Sequence, residues 1–122
     1  MKIKSWDSSE KSNEIHLDRA MTEALRYLKR NGIVELNNTA LSKKEELFSR
    51  AIDDYKKGEL SLDEFSCLCE KLWWTIDNKN NKLAETILKG AELSFYERAS
   101  VTQENMESNF INVLRKVMNY KE

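Results

Sequence analysis

The sequence predicts an all-α protein, a single-domain bundle of four to five antiparallel helices. Its 122 residues contain no proline and only three glycines, so little interrupts a helix. Apolar residues recur at three- and four-residue spacing rather than in alternation. That pattern stops at Asn31-Gly32, at Lys57-Gly58 and at Asn78-Lys79-Asn80-Asn81, where helices should end. The length suits one domain able to bury a core without disulfide or metal staples.

Residues 1–12 are polar, with Trp6 alone among Lys, Ser, Asp and Glu; a mobile arm is expected, and the bundle domain occupies 13–122. The first helix should run from about Asn13 to Arg30 and turn Leu17, Ala20, Met21, Ala24, Leu25 and Leu28 inward, with Gly32 as its stop. His16 lies at the edge of that face, where a partly buried, hydrogen-bonded imidazole is expected. Ile33 to Leu41 reads as an extended apolar loop crossing the bundle or a short strand without a partner. Ser42-Lys43-Lys44-Glu45 has the letters of a capping box. The second helix should then run to Lys57 and bury Leu47, Phe48, Ala51, Ile52 and Tyr55, ending at Gly58.

Ser61-Leu62-Asp63-Glu64 repeats the capping box, with two acids at the positive end of the helix dipole. The third helix is expected to reach about Asp77, with a core arc of Leu62, Phe65, Leu68, Cys69, Leu72, Trp73 and Ile76. The fourth should cover about Lys82 to Glu97 with Leu83, Ala84, Ile87, Leu88, Ala91 and Phe95 inward. Gly90 borders that face and lets a neighbouring helix approach closely. Ser100 or Thr102 would cap a fifth helix that buries Met106, Phe110, Val113, Leu114, Val117 and Met118 and ends near Tyr120.

Several functional classes are disfavoured. No apolar run approaches the roughly 20 residues of a membrane span, and Met1 to Asp7 lacks the apolar stretch of a secretory signal. A cytoplasmic protein without membrane contact is expected. Cys67 and Cys69, two apart on one helix, point about 160° apart and cannot bridge each other. With one histidine and no Cys-x-x-Cys, no zinc site is expected. There is no glycine-rich phosphate loop, no His-Glu-x-x-His and no nucleophile elbow. The acid pairs Asp53-Asp54 and Asp63-Glu64 diverge on a helix instead of converging. No catalysis, cofactor or metal is therefore expected.

Two sharper readings of the central turn also fail. Counted as a calcium loop from Asp53, the segment places Gly58 and Glu64 well, but its third and fifth positions are Tyr55 and Lys57, where a hard cation needs oxygens. Read as a DNA-binding helix-turn-helix, it has the wrong sign. Between Glu45 and Glu70 eight acids face three bases, a net charge of −5, which a phosphate backbone repels. Nucleic acid is not an expected partner.

The third helix carries a second stripe beside its core arc. Asp63, Cys67, Glu70, Trp74 and Asp77 follow i, i+4, i+7, i+11, i+14 spacing. Tryptophan is enriched in interface hot spots, and acids steer a basic partner. Trp74 either anchors such a partner or packs on the 33–41 segment or the fourth helix; the sequence leaves both open.

The pattern Tyr55-x-x-Gly58-x-Leu60-Ser61-x-x-Glu64-Phe65, followed by Leu72-Trp73, resembles the helical hairpin of the colicin-D-like bacterial immunity family. It also looks like the hairpin of short C-terminal SHOCT domains. The immunity resemblance implies a four-helix-type bundle that covers the active site of a cognate toxin nuclease, its acids standing in for RNA phosphates. Contact-dependent inhibition immunity proteins are a neighbouring possibility with the same mechanism. The expected function is thus an immunity or antitoxin-like protein that binds a basic toxin domain through Asp53, Asp54, Glu59, Asp63, Glu64, Glu70, Trp74 and Asp77. The alternative is a helical adaptor or regulatory protein acting through homodimerisation. Either a monomer or a homodimer is compatible with the sequence.

Overall fold

The computed structural model describes residues 18–102 and 104–121. The expected arm at 1–12, His16, Leu17 and the start of the first helix lie outside the described residues. The chain forms α1 (described over 18–30), a 3-10 turn at Leu36–Asn38, α2 (Leu41–Lys56), α3 (Leu62–Trp74), α4 (Lys82–Thr102) and α5 (Glu104–Met118). No strand occurs among the described residues, so the all-α expectation holds.

Two glycines fix the joints on either side of α2. Gly32 and Gly58 have φ of 78° and 81°, a left-handed conformation that costs a side-chain-bearing residue strain. Each closes the preceding helix in the same way. Ile33 N–H donates to Leu28 O at 2.9 Å and Gly32 N–H to Lys29 O at 3.0 Å; Glu59 N–H donates to Asp54 O at 2.8 Å and Gly58 N–H to Tyr55 O at 3.0 Å. These paired bonds are the Schellman arrangement, which satisfies the last carbonyls of a helix. The predicted capping box at Ser61 is complete: Glu64 N–H donates to Ser61 Oγ at 3.1 Å and Ser61 N–H donates to Glu64 Oε1 at 2.8 Å.

The core lies where α2, α3, α4 and α5 meet. Phe65 of α3 stacks near Phe48 at 6.1 Å between centroids and tilts against Tyr55 at 5.7 Å, while Tyr120 meets Phe48 edge-on at 5.4 Å. Phe48, Ile52, Phe65, Leu68, Leu72, Ile87, Leu93 and Val117 are fully buried around them. Loss of either phenylalanine ring would cost about 3–5 kcal/mol by transfer and cavity terms. On the other side of α2, α1 is tied down by Tyr27, whose hydroxyl donates to Asp54 Oδ2 at 2.5 Å. Arg50 of α2 donates to Asn31 Oδ1 at 2.5 Å.

The α3–α4 crossing is built from small residues. A Cβ placed on Gly90 would lie 2.7 Å from Cys69 Sγ and 3.4 Å from Phe65 Cε2, so the close approach expected of this glycine is present. Buried Ser66 donates to Gly90 O at 3.0 Å and accepts from Ser94 N–H at 3.1 Å. Gly90 O and Ser94 N–H are the pair that an ideal helix joins directly, and one hydroxyl from α3 bridges them. Ser94 Oγ in turn donates to Asp63 Oδ1 at 2.7 Å, and Arg98 lies 3.8 Å from the same oxygen.

Several local expectations are corrected. Ser42 does not cap α2: the helix begins at Leu41 after Ala40. Lys44 is buried at 4% exposure, and its ammonium donates to Thr75 O at 2.7 Å. A buried cation at the end of α3 is favoured by the carbonyls and the dipole there. The 33–41 segment is no extended apolar crossing, since only Ile33 and Leu36 pack inward while Val34 is 95% exposed. In α1, Leu25 is exposed and Tyr27 is buried instead, because the Asp54 bond turns the ring inward. The third helix stops at Trp74, short of Asp77; the Thr75 hydroxyl donates to Leu72 O at 2.9 Å and ends it.

The fourth helix runs past Glu97 to Thr102. Ser100 caps nothing, since it lies inside α4 and its hydroxyl returns to Glu97 O at 2.6 Å; no proline or glycine stands there to end the helix. Leu88 and Phe95 of α4 face outward, because the inner face is set by Gly90 and Ser94, whose small side chains admit α3. Among the described side chains of α5 only Val117 is fully buried, with Phe110, Val113, Leu114 and Met118 packed half-buried against the core.

Candidate interaction surface

The eight residues expected to contact a partner fall into two groups at opposite ends of α3. Asp63 and Trp74 are eleven residues apart on one helix, about 16 Å at 1.5 Å per residue. Asp53, Asp54, Glu59, Asp63 and Glu64 cluster around the Gly58 turn, while Glu70, Trp74 and Asp77 lie at the far end.

Most acids of the turn group hold the fold together. Asp53 accepts from Lys121 Nζ at 2.8 Å, and that bond holds its carboxyl below the usual carboxylate range. Asp54 receives the Tyr27 hydroxyl; burial, the bond itself and the Asp54 charge together push that phenol well above its ordinary range. Glu64 completes the capping box, and Asp63 is held by Ser94 beside Arg98. Among the described residues Glu59 alone in this group makes no side-chain hydrogen bond or ion pair, and it is exposed. Lys121 and Arg98 lie outside the 45–70 window, so the −5 of that segment is partly neutralised by the rest of the chain.

The second stripe of α3 is split in the same way. Its first half is covered: Cys67 is buried and Asp63 is half-buried. Burial first, then the carboxylates of Glu70 and Asp63, pushes the Cys67 thiol up to about 11. Burial first, then the neighbouring Cys67, drives fully enclosed Cys69 well above the ordinary range. Neither thiol supplies a ready thiolate at neutral pH. The second half is open, with Glu70 and Asp77 exposed and Trp74 68% exposed.

Trp74 is held in place from one side. Its ring meets half-buried Trp73 edge-on at 5.0 Å. Lys79 Nζ sits 4.9 Å from the Trp73 ring centroid and donates to Ile76 O at 2.8 Å. The indole of Trp74 is thus a firmly mounted apolar surface at the end of α3, with a carboxylate one turn before it and another three residues after. At 68% exposure Trp74 is not buried by the 33–41 segment or by α4, and its ring contact is with Trp73.

Two sets of residues escaped the sequence reading. Lys44 sits at i−3 and i−4 to Leu47 and Phe48, a spacing that marks an inward position whatever the residue type. Leu88, Phe95 and Ala99 lie within about 20° of Leu88 on α4, whereas Ala91, at the border, packs against the core as expected. The first three form an outer stripe distinct from the inner one of Leu83, Ile87, Gly90 and Ser94. Counting glycine and serine as possible inner residues would have separated the two.

No group of three His, Cys, Asp or Glu side chains positioned to hold a metal ion occurs among the described residues. Among those residues no helix is long and apolar enough to cross a membrane. The fold and this surface define a small all-α helical bundle with an exposed, acid-flanked tryptophan at one corner. No family model, curated protein or solved structure matches the chain.

Proposed function

We propose that this bundle is an interaction protein of the immunity or antitoxin kind, which neutralises a basic bacterial toxin domain by covering it, and that Trp74 is the anchor of the contact. The observation that carries this reading is Trp74 itself. A tryptophan 68% exposed, buttressed by Trp73 and flanked by exposed Glu70 and Asp77, has the chemistry of a binding hot spot. The resemblance of the 55–73 segment to immunity hairpins supplies the class of partner, a nuclease whose site attracts phosphates and therefore acids. Glu70, Asp77 and Glu59 are the acids best placed to serve it, because they are exposed and have no hydrogen-bonded or ion-paired side chain among the described residues. Catalysis forms no part of the reading.

The test is protection in living bacteria. The product of the reading frame beside this gene, where an immunity protein's toxin is expected, is expressed with and without this chain. The chain should rescue growth, and Trp74→Ala should abolish rescue while leaving the helical content and unfolding temperature unchanged. Rescue undiminished by Trp74→Ala would remove Trp74 from the contact, and absence of rescue by the unaltered chain would remove the toxin reading.

A further inference from the structure

The outer stripe of α4 continues the Trp74 corner. The crossing contacts Ser66–Gly90, Ser66–Ser94 and Asp63–Ser94 show that α3 and α4 run antiparallel. Eight residues beyond Ser66, Trp74 therefore falls beside the first turn of α4, near the level of Ala84. Leu88 lies one turn further along and Phe95 about 16 Å from the Ala84 level at 1.5 Å per residue. Leu88 is 37% and Phe95 65% exposed, although both sit in the middle of a helix rather than at a frayed end. Phe95 is steadied edge-on by Tyr96 at 5.7 Å between centroids. Three large apolar side chains thus line one side of the molecule at heights equivalent to i, i+4 and i+11.

The charge beside them is mostly negative, with Lys71 and Lys79 the bases nearest Trp74. Exposed Glu85 and half-buried Glu92 flank Leu88 on α4, and Glu70 and Asp77 flank Trp74. No lysine or arginine of α4 falls within about 60° of Leu88; Lys82 and Lys89 point away, and Arg98 is engaged by Asp63. Lys71 of α3, half-buried, is the one base of the described residues near Trp74 on its own helix. A second copy of this chain docked face to face would set these carboxylates against their own kind, so charge complementarity selects a basic occupant.

We infer that the joined α3–α4 outer face, Trp74, Leu88 and Phe95 bordered by Glu70, Glu85 and Glu92, is the docking surface for a basic amphipathic helix of a partner protein. Such a helix lying along α4 presents apolar residues at i, i+4 and i+11, which fall within about 40° of one another at 100° per residue. Lysines or arginines on either side of that stripe meet the glutamates. The inference deepens the proposed function by naming the element of the partner that is gripped, and it rests on that reading only for the partner's biological class.

The probe is a synthetic Leu/Lys/Ala helical peptide of about 18 residues, long enough to hold a helix when bound, with leucines at i, i+4, i+7 and i+11. Its control replaces every lysine by glutamate. Titrated into the isotope-labelled full chain, the lysine peptide should shift the backbone amide resonances of α3 and α4 around Trp74, Leu88 and Phe95 above all others, and the glutamate peptide should shift none. Leu88→Ala and Phe95→Ala, both at exposed positions, should each weaken the lysine peptide at least about tenfold with no change in unfolding temperature. Equal binding of the glutamate peptide, shifts spread elsewhere, or a self-associated dimer that Phe95→Ala dissociates would each overturn the inference. The two proposals fail separately. A toxin bound normally by Leu88→Ala and Phe95→Ala variants removes this surface alone, whereas peptide binding without protection removes the toxin reading alone.

Discussion

Tyr27 and Gly58 are the residues whose physics makes the clearest solution predictions. Tyr27 is buried on α1, and its phenol, bonded to Asp54, ionises far less readily folded than unfolded. Tyr120, raised to about 12 by burial and by its bond to Glu45, and Cys67, raised to about 11, behave alike. For such groups the folded state keeps a proton that the unfolded chain releases. Stability is whole below the unfolded pKa, near 9 for the thiol and 10 for the phenols, and falls as pH climbs through the window above it. Burial lowers the Lys44 ammonium, against a smaller opposing pull from Asp77. That group acts in the opposite sense, and the four together still favour alkaline loss. The unfolding temperature should drop from pH 9 to pH 11, and Tyr27→Phe should fall less steeply than the unaltered chain between pH 10 and pH 11. An identical slope would mean that Tyr27 is not the protected phenol. At Gly58 a Cβ would meet nothing within 4 Å, so Gly58→Ala should cost only the backbone term of a positive φ. That is about 1 kcal/mol, read as a shift in denaturant midpoint at constant slope.

At the scale of elements, the α3–α4 crossing is the most demanding joint. Gly90→Ala gains about 1 kcal/mol of helix propensity but drives a methyl against Cys69, which is fully enclosed and cannot swing aside. Overpacking of this kind costs about 1–3 kcal/mol, so equilibrium unfolding should show net destabilisation; a stabilised Gly90→Ala variant would mean that the helices part there easily. The same joint shows where the sequence was legible. Glycine stops, the Ser61 capping box and the core arc of α3 follow from local rules, because their causes lie within a few residues of chain. The faces of α4 did not, since apolar residues occupy both its inner and outer stripes, and the inner one is chosen by Gly90, Ser94 and the Ser66 hydroxyl from another helix. The split of the α3 stripe has the same origin: α4 brings Ser94 and Arg98 to Asp63 and leaves Trp74 bare. The burial of Lys44 was legible only in its spacing on α2, which places it inward with Leu47 and Phe48.

Over the whole molecule, charge is close to balanced, with a formal net charge of −1, so any attraction for a basic partner comes from where acids stand. Those of the Gly58 turn other than Glu59 are tied into the fold, whereas Glu70 and Asp77 beside Trp74 and Glu85 on outer α4 are exposed. Partner association should therefore depend on that corner and weaken as salt shortens the Debye length from about 30 Å at 0.01 M to about 8 Å at 0.15 M. The measurement that tests this most directly is the association rate with the product of the adjacent reading frame, for the unaltered chain and for Glu70→Lys/Asp77→Lys, at low and physiological salt. The predicted result is a rate that falls with salt and that the double charge reversal lowers about tenfold at low salt, with unfolding temperature unchanged. A rate indifferent both to salt and to the charge reversal would contradict the assignment of the Trp74 corner as the binding surface.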